Sequence, residues 1–137
     1  EYRSMLIPVP TSSHVYDFYH STIWYHNEIL YSKLKADLIV DMAVAKDIVT
    51  EREKLSEGIA RPIFVDISGL LYVDNESKSY LASPEACKLI SGGVIYTRDR
   101  LLNFVGSSFI LLEKPNVPAK AFICENNALN WLQQFRP

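Results

Sequence analysis

Glycine and cysteine are scarce in this chain of 137 residues, which has five glycines and two cysteines. Only Gly92 and Gly93 are adjacent, so the sequence has no glycine-rich phosphate-binding loop and no Gly-x-Ser-x-Gly nucleophile turn. Two cysteines without a Cys-x-x-Cys pair also argue against a disulfide scaffold. We expect Cys87 and Cys124 to be buried thiols in a reducing compartment.

An excess of charge of one sign is also absent. Fourteen basic and sixteen acidic residues give a net charge of −2, and the basic residues are scattered, so no nucleic-acid partner is expected. No apolar run approaches the roughly 20 residues that span a bilayer. Residues 1–10 lack the basic and apolar regions of a signal peptide. We therefore expect no membrane span and a cytoplasmic protein.

Metal-ligand and nucleophile patterns are missing as well. The three histidines, His14, His20 and His26, form no His-x-x-x-His motif, so we interpret them as polar residues on strand faces and expect neither a metal nor a cofactor. Cys124 paired with a distant histidine could act as a nucleophile. Because it follows an apolar strand-like run, a buried and inert thiol is the favoured interpretation.

The remaining composition is that of a globular protein, with 48% apolar and 22% charged residues. Residues 1–13 contain Pro8, Pro10 and a Thr-Ser-Ser run, which favours an extended leader. Residues 14–137 are then predicted to form a single domain, because this length matches one hydrophobic core.

Strand-like patterns occur in two N-terminal stretches, the second of which is divided by a turn, and in three later runs. Residues 14–20, 22–25 and 29–34 are rich in aromatic and β-branched residues, and Asn27-Glu28 is predicted as a hairpin turn despite its lack of glycine. Residues 62–67 form a nearly unbroken apolar run, typical of a central strand covered on both faces. Residues 94–96 and 119–124 are predicted as two further strands.

Helical spacing begins at Asp41, a predicted N-cap, and the first helix stops at Gly58. Its solvent face is predicted to include residues 51–54. A second helical region, residues 75–90, should split where Ser83 caps a new turn before Pro84, and Gly92-Gly93 should end it.

The last two helices are predicted to begin at Asp99 and near Asn126, and Pro115 should stop the first of them. The predicted order is β-β-α-β-α-β-α-β-α. This order indicates an α/β fold with a mixed, mostly parallel sheet, an N-terminal antiparallel hairpin and helices packed on the sheet.

One stretch, residues 64–77, resembles a known signature. It reads Phe-Val-Asp-Ile-Ser-Gly-Leu-Leu-Tyr-Val-Asp-Asn-Glu-Ser, and it is similar to the STAS-domain pattern of Asp-Leu-Ser-Gly-Val, a few apolar residues, and Asp-Ser-Ser-Gly at a helix start. Residues 122–132 are similar to the closing strand and helix of that family. The matching positions are Asp66, Ser68, Gly69, Tyr72, Val73 and Asp74, with Ile67 and Leu70 as conservative replacements.

The resemblance covers roughly residues 14–135 and implies the SpoIIAA-like (STAS-like) fold of bacterial anti-sigma-factor antagonists, in a branch without assigned function. It implies a regulatory module that binds a partner protein such as a kinase-like protein or a sigma-factor regulator. The partner-binding loop that it implies comprises Asp66, Ser68, Gly69, Asp74, Asn75, Glu76 and Ser77.

The sequence departs from the family at the regulatory position. The resemblance places a phosphorylated serine directly after the second aspartate, where this chain has Asn75. Glu76 follows and permanently places one negative charge at a helix start. Ser77 or Ser79 is either a displaced phosphorylation site or an ordinary serine of the first helical turn.

The helix over residues 99–113 has two apolar faces. Leu102, Val105, Phe109 and Leu112 form one, and Leu101, Phe104, Ser108 and Leu111 form most of another. A helix that covers one side of a sheet needs only one such face. The second is either buried under the N-terminal leader or hairpin, or an exposed patch for self-association, in which case the protein is a homodimer.

Two other functions remain open. A groove lined by aromatic residues could bind a small ligand or lipid, although aromatic residues more often belong to the core. An enzyme could use Asp66 and Asp74 as acid and base, but these carboxylates more simply bond to loop amides and cap a helix. The aromatic candidates are Trp24, Tyr25, Tyr31, Tyr72, Tyr96, Phe104 and Phe109. We therefore predict a non-catalytic interaction module.

Overall fold

The computed structural model describes residues 15–137, so the predicted leader and His14 lie outside the described residues. A six-stranded sheet has the order β1-β2-β3-β5-β7-β8, and β4 pairs with β6 beside it. The strands are β1 Val15–Asp17, β2 Ser21–His26, β3 Ile29–Leu34, β4 Leu38–Val40, β5 Arg61–Asp66, β6 Leu70–Val73, β7 Ile90–Tyr96 and β8 Ala119–Phe122. The helices are α1 Met42–Leu55, α2 Asn75–Leu81, α3 Pro84–Cys87, α4 Arg100–Glu113 and α5 Glu125–Leu132, followed by the 3-10 turn Gln133–Phe135.

The N-terminal strands are antiparallel and the others are parallel. β2 and β3 form the predicted hairpin, with His26 opposite Ile29, while β3, β5, β7 and β8 run parallel. Asn27 and Glu28 have φ angles of 54° and 66°, which is the twist that a two-residue hairpin turn requires. The predicted strand over residues 14–20 is shorter, because the chain turns after Asp17 and the Phe18 N–H donates to the Ser21 carbonyl.

The small β4–β6 sheet was not predicted, and residues 70–73 were expected to be loop. Val40 lies opposite Val73 in this parallel pair, and each strand leads directly into a helix. Asp41 caps α1 by accepting from the Val44 N–H at 2.9 Å, and Asp74 caps α2 in the same way. The pair therefore places the first turns of α1 and α2 next to each other.

The other predicted helix starts are confirmed except the last. Ser83 caps α3 with Pro84 in its first turn, and Asp99 caps α4. The prediction that Asn126 caps the final helix is wrong, because α5 already begins at Glu125. The prediction that Gly92-Gly93 ends a helix is also wrong, since both glycines lie in β7.

One face of the sheet carries a row of aromatic rings under α5. Trp24 and Tyr31 are stacked with centroids 5.5 Å apart, and Phe64 lies 5.3 Å from Tyr96. Ala128 and Leu132 of α5 pack onto this row, as do side chains of the 3-10 turn. Burial raises the pKa of the Tyr31 hydroxyl to about 12, so the row is neutral at physiological pH.

The opposite face is aliphatic and is covered by the other helices. Leu34 and Ile67 of the sheet side pack with Val40 and Ala45, and Ile48 and Leu102 join them from α1 and α4. The fold therefore has three layers, with α5 alone on one side. Within residues 15–137 no helix combines the length and apolar character needed to cross a membrane.

Candidate functional site

The loop implied by the resemblance begins where β5 ends. Asp66 uses a carboxylate oxygen to accept from the Ser68 N–H at 2.9 Å, and the Ser68 hydroxyl lies 3.2 Å from that of Thr97. Gly69 packs directly on the backbone that follows β3, since a Cβ there would lie 2.3 Å from the Lys35 carbonyl oxygen. Asp66, Ser68 and Gly69 therefore fix the path of the chain toward β6.

The second half of the loop is the start of α2. Asp74 accepts from the Ser77 N–H at 2.8 Å, and its interaction with Ser77 lowers the pKa of Asp74. Asn75 and Glu76 are exposed. Both carboxylates considered as catalytic groups thus bond to backbone amides of their own loop.

The two serines considered as displaced phosphorylation sites are placed differently. Ser77 has no exposed surface, so its hydroxyl is closed to another protein in this conformation. Ser79 is exposed and donates to the Glu113 carboxylate at 3.1 Å, which links α2 to α4. Of the loop residues, Asn75, Glu76 and Ser68 are the exposed ones.

The outer side of α4 is apolar and exposed. We call its residues the α4 surface: Leu101, Phe104, Val105, Ser108, Leu111 and Leu112. Leu101, Leu111 and Leu112 are 80%, 73% and 73% exposed, and Phe104 is 70% exposed. The sheet contacts the opposite side of the helix, where Gly106 is buried against Ile95. Leu112 is exposed although it shares a predicted face with the partly buried Leu102 and Phe109.

A cavity of about 200 Å³, partly open to solvent, lies between the aliphatic face of the sheet and helices α1 to α4. We call it the interior cavity. Its sheet wall includes Ser32 and Gly93, and its helix wall includes Gly106. Small residues on both walls leave the space that larger side chains would fill. The charged lining residues are Arg52 and Lys78, and none of the described lining residues is acidic.

Arg52 is the charged group most deeply placed at the interior cavity. It is only 6% exposed, and it donates to the Ala86 carbonyl at 2.7 Å. Glu53 lies 3.6 Å from the same guanidinium nitrogen, while Nε has no hydrogen-bond partner. Burial lowers the pKa of the Arg52 guanidinium, although the Glu53 charge opposes this shift.

Sequence reasoning missed Arg52 because it assigned residues 51–54 to the solvent face of α1. Arg52 instead shares a side of the helix with the buried Ala45 and Val49. The spacing of these residues, i, i+4 and i+7, was the available signal, because it places a cation within the apolar stripe. The missed residues at the interior cavity are thus Arg52, Lys78 and Ser32.

The predicted aromatic lining is not found at the interior cavity. Phe109 is the one aromatic residue among the described residues that line it. Trp24, Tyr31 and Tyr96 belong to the row under α5, and Tyr72 and Phe104 are exposed. Tyr25 donates to the Leu55 carbonyl and stacks against Arg61. Three of the seven aromatic candidates are therefore core residues, and the cavity is largely aliphatic.

The burial of the cysteines and the positions of the histidines differ in part from expectation. Cys87 is buried as predicted, but the prediction that Cys124 is buried is wrong, because β8 ends at Phe122 and Cys124 lies at the exposed junction with α5. His20 lies in the turn after β1, 3.5 Å from the Asp47 carboxylate. Among residues 15–137, no three potential metal ligands converge.

The layer order, the parallel sheet and the loop after β5 define a SpoIIAA-like α/β domain. A similar crystal structure is that of an uncharacterised protein of the DUF3478 family with a SpoIIAA-like fold, from Shewanella loihica PV-4. The TM-score is 0.57 at 18% identity, over 82% of this chain and 91% of that one. Residues 23–136 match the family described as "Domain of unknown function (DUF7793)", and the chain belongs to that family. No curated protein matches the sequence.

Proposed function

We propose that the protein is a non-catalytic interaction module that docks through the α4 surface. The observation that supports this proposal is the exposure of large apolar side chains, with Leu101 at 80% and Phe104 at 70%. Burying one such side chain is worth about 1.5–3 kcal/mol. A contiguous exposed patch of this kind marks an interaction site rather than an ordinary solvent face.

The occupant that we propose is a second copy of the chain. Val105 and Leu111 each lie three residues from the partly buried Ser108, and Phe104 and Leu112 each lie four residues from it. In an antiparallel pair of α4 helices with Ser108 on the two-fold axis, Phe104 would meet Leu111 of the other copy, and Val105 would meet Leu112. A two-fold interface requires this kind of self-complementary spacing.

The proposed contact does not depend on phosphorylation. Asn75 has no hydroxyl, Ser77 is buried, and Ser79 is bonded to Glu113. Glu76 supplies a permanent negative charge at the exposed start of α2. The resemblance implied a kinase-like protein or a sigma-factor regulator as partner. We favour self-association because apolar side chains lie three and four residues on either side of Ser108, a spacing that a second copy of α4 can match.

A non-catalytic role is supported by the carboxylates of the loop. The carboxylates of Asp66 and Asp74 both accept hydrogen bonds from backbone N–H groups. A reducing compartment such as the cytoplasm is supported by Cys124, because an exposed free thiol persists where disulfides do not form.

The test is the mass of the purified protein in solution. Size-exclusion chromatography with light scattering should give twice the 15.6 kDa chain mass. Phe104→Glu and Leu111→Glu place charges on opposite sides of Ser108, and each should yield a monomer. Leu71→Glu is the matched control, since Leu71 is 63% exposed on β6 and lies outside the α4 surface; it should remain dimeric.

A monomeric native protein at high micromolar concentration would contradict the proposed self-association. Dissociation by Leu71→Glu as strong as by Leu111→Glu would place the interface elsewhere. A stable complex with a different protein that blocks α4 would keep the interaction module but overturn the second copy as its occupant.

A further inference from the structure

The interior cavity combines a wide apolar space with a buried cation that is incompletely bonded. We propose that it is a binding site for a small amphiphilic carboxylate, with the apolar chain in the cavity and the carboxylate on Arg52. This site shares only Val105 with the α4 surface, and its test measures ligand binding rather than dimer formation.

The size of the cavity sets the size of the ligand. An apolar cavity of about 150 Å³ holds benzene, which has about six non-hydrogen atoms. The interior cavity, at about 200 Å³, by the same ratio has room for about eight. A straight-chain acid of about six carbons fits this estimate.

The charges around the cavity select an anion. Arg52 and Lys78 line it, and none of the described lining residues carries a negative charge. A buried guanidinium loses its hydration and requires bonded partners in exchange. Arg52 has one carbonyl and, at 3.6 Å, the carboxylate of Glu53, while its Nε has no hydrogen-bond partner. A carboxylate is the group that a guanidinium binds with paired hydrogen bonds.

The sheet wall adds a second polar group. The Ser32 side chain is 3% exposed, and its hydroxyl has no hydrogen-bond partner. A buried polar atom without a partner is uncommon in a native protein. Ser32 and Arg52 thus give the cavity two such groups on different walls, while its other surroundings are largely aliphatic.

The site can be tested with probes that differ only in their polar end. Hexanoate, hexan-1-ol and hexylamine would be titrated into the full chain at millimolar concentration, and the methyl NMR signals of Ile63, Val65 and Ile95 would be followed. All three residues line the cavity. Hexanoate should shift these signals at a lower concentration than the alcohol, and the amine should be the weakest.

Two substitutions assign the carboxylate to Arg52. Arg52→Gln should weaken hexanoate binding about tenfold, the scale of one charged hydrogen bond, and leave hexan-1-ol binding within about twofold. Glu53→Gln should strengthen hexanoate binding several-fold, because it removes the anion that competes for the guanidinium. Since the Glu53 side chain is partly exposed and does not line the cavity, this second variant decides the matter even where Arg52→Gln fails to fold.

Three outcomes would overturn the proposal. Methyl signals of the cavity that do not respond to hexanoate would mean that the cavity is not accessible to such a ligand. Equal binding of the acid and the alcohol would remove the role of the cation. Unchanged or weaker hexanoate binding in Glu53→Gln would show that the anion does not sit at Arg52.

Discussion

Gly92 and Gly93 are neighbours in β7 whose missing side chains point to opposite faces of the sheet, and alanine at the two positions should have opposite effects. A Cβ on Gly92 would lie 2.5 Å from the ring of Phe135. A Cβ on Gly93 would meet only Ile63 Cγ2, at 3.6 Å, at the wall of the interior cavity. The difference follows from the alternation of side chains along a strand.

Gly93→Ala should stabilise the fold. The distance of 3.6 Å is an ordinary van der Waals contact, so the added methyl group fills empty space. Burial of one such group is worth about 0.8 kcal/mol. The unfolded chain also loses backbone freedom when glycine becomes alanine, which adds about 0.4–1 kcal/mol. The expected gain in the free energy of unfolding is therefore about 1–2 kcal/mol.

Gly92→Ala should destabilise the fold despite the same effect on the unfolded chain. The Phe135 ring must move, although it packs on Trp131 with centroids 4.9 Å apart. Its backbone carbonyl is also held by the Ser91 hydroxyl at 2.8 Å. Overpacking of this kind typically costs about 1–3 kcal/mol. The unfolded-state gain offsets part of that cost, so we expect a net loss of about 1 kcal/mol.

Urea unfolding followed by tryptophan fluorescence measures both effects, provided that the m-value is unchanged. The native protein is the reference, and each glycine variant is the control for the other. A lower urea midpoint for Gly93→Ala would mean that the interior cavity has no room for a methyl group at this position of β7. A higher midpoint for Gly92→Ala would mean that Phe135 does not rest on the strand.

Two further predictions concern Asp74 and Cys124. Ser77 lowers the pKa of Asp74 in the folded protein. The Asp74 cap therefore stabilises the fold at pH values above the unfolded-state pKa, near 3.8, and this contribution is lost as the pH falls through the folded-state pKa. Asp74→Ala should lower the urea midpoint at neutral pH, and a difference from the native protein that persisted at about pH 2 would contradict this reasoning. A thiol reagent should modify Cys124 in the native protein and Cys87 only in denaturant; equal rates at both, by mass spectrometry, would contradict the burial of Cys87.

The helix boundaries could be predicted because they depend on short-range chemistry. Asp41, Ser83 and Asp99 each bond to amides two or three residues ahead, which the local sequence reveals. The order of strands and helices followed from the same local patterns. The β4–β6 pair could not be found this way, because it joins two short segments that are about 30 residues apart.

The candidate site was harder to predict than the fold. The loop at residues 66–77 was located from its resemblance, but the burial of Ser77 depends on packing between helices. The two apolar faces of α4 left two alternatives for the second face. It could be buried under the N-terminal leader or hairpin, or it could be exposed. The interior cavity had no sequence signal of its own, because it arises where Ser32, Gly93 and Gly106 meet from three elements distant in the chain.

Val105 belongs to two surfaces at once, since it lines the interior cavity and is 37% exposed on the outer side of α4. The proposed dimer would cover this side chain, and the proposed ligand would touch it from within. Two equilibria that share a side chain are thermodynamically linked, and the linkage is reciprocal. The factor by which the bound carboxylate ligand changes the dimerisation constant must therefore equal the factor by which dimerisation changes the affinity of the protein for that ligand.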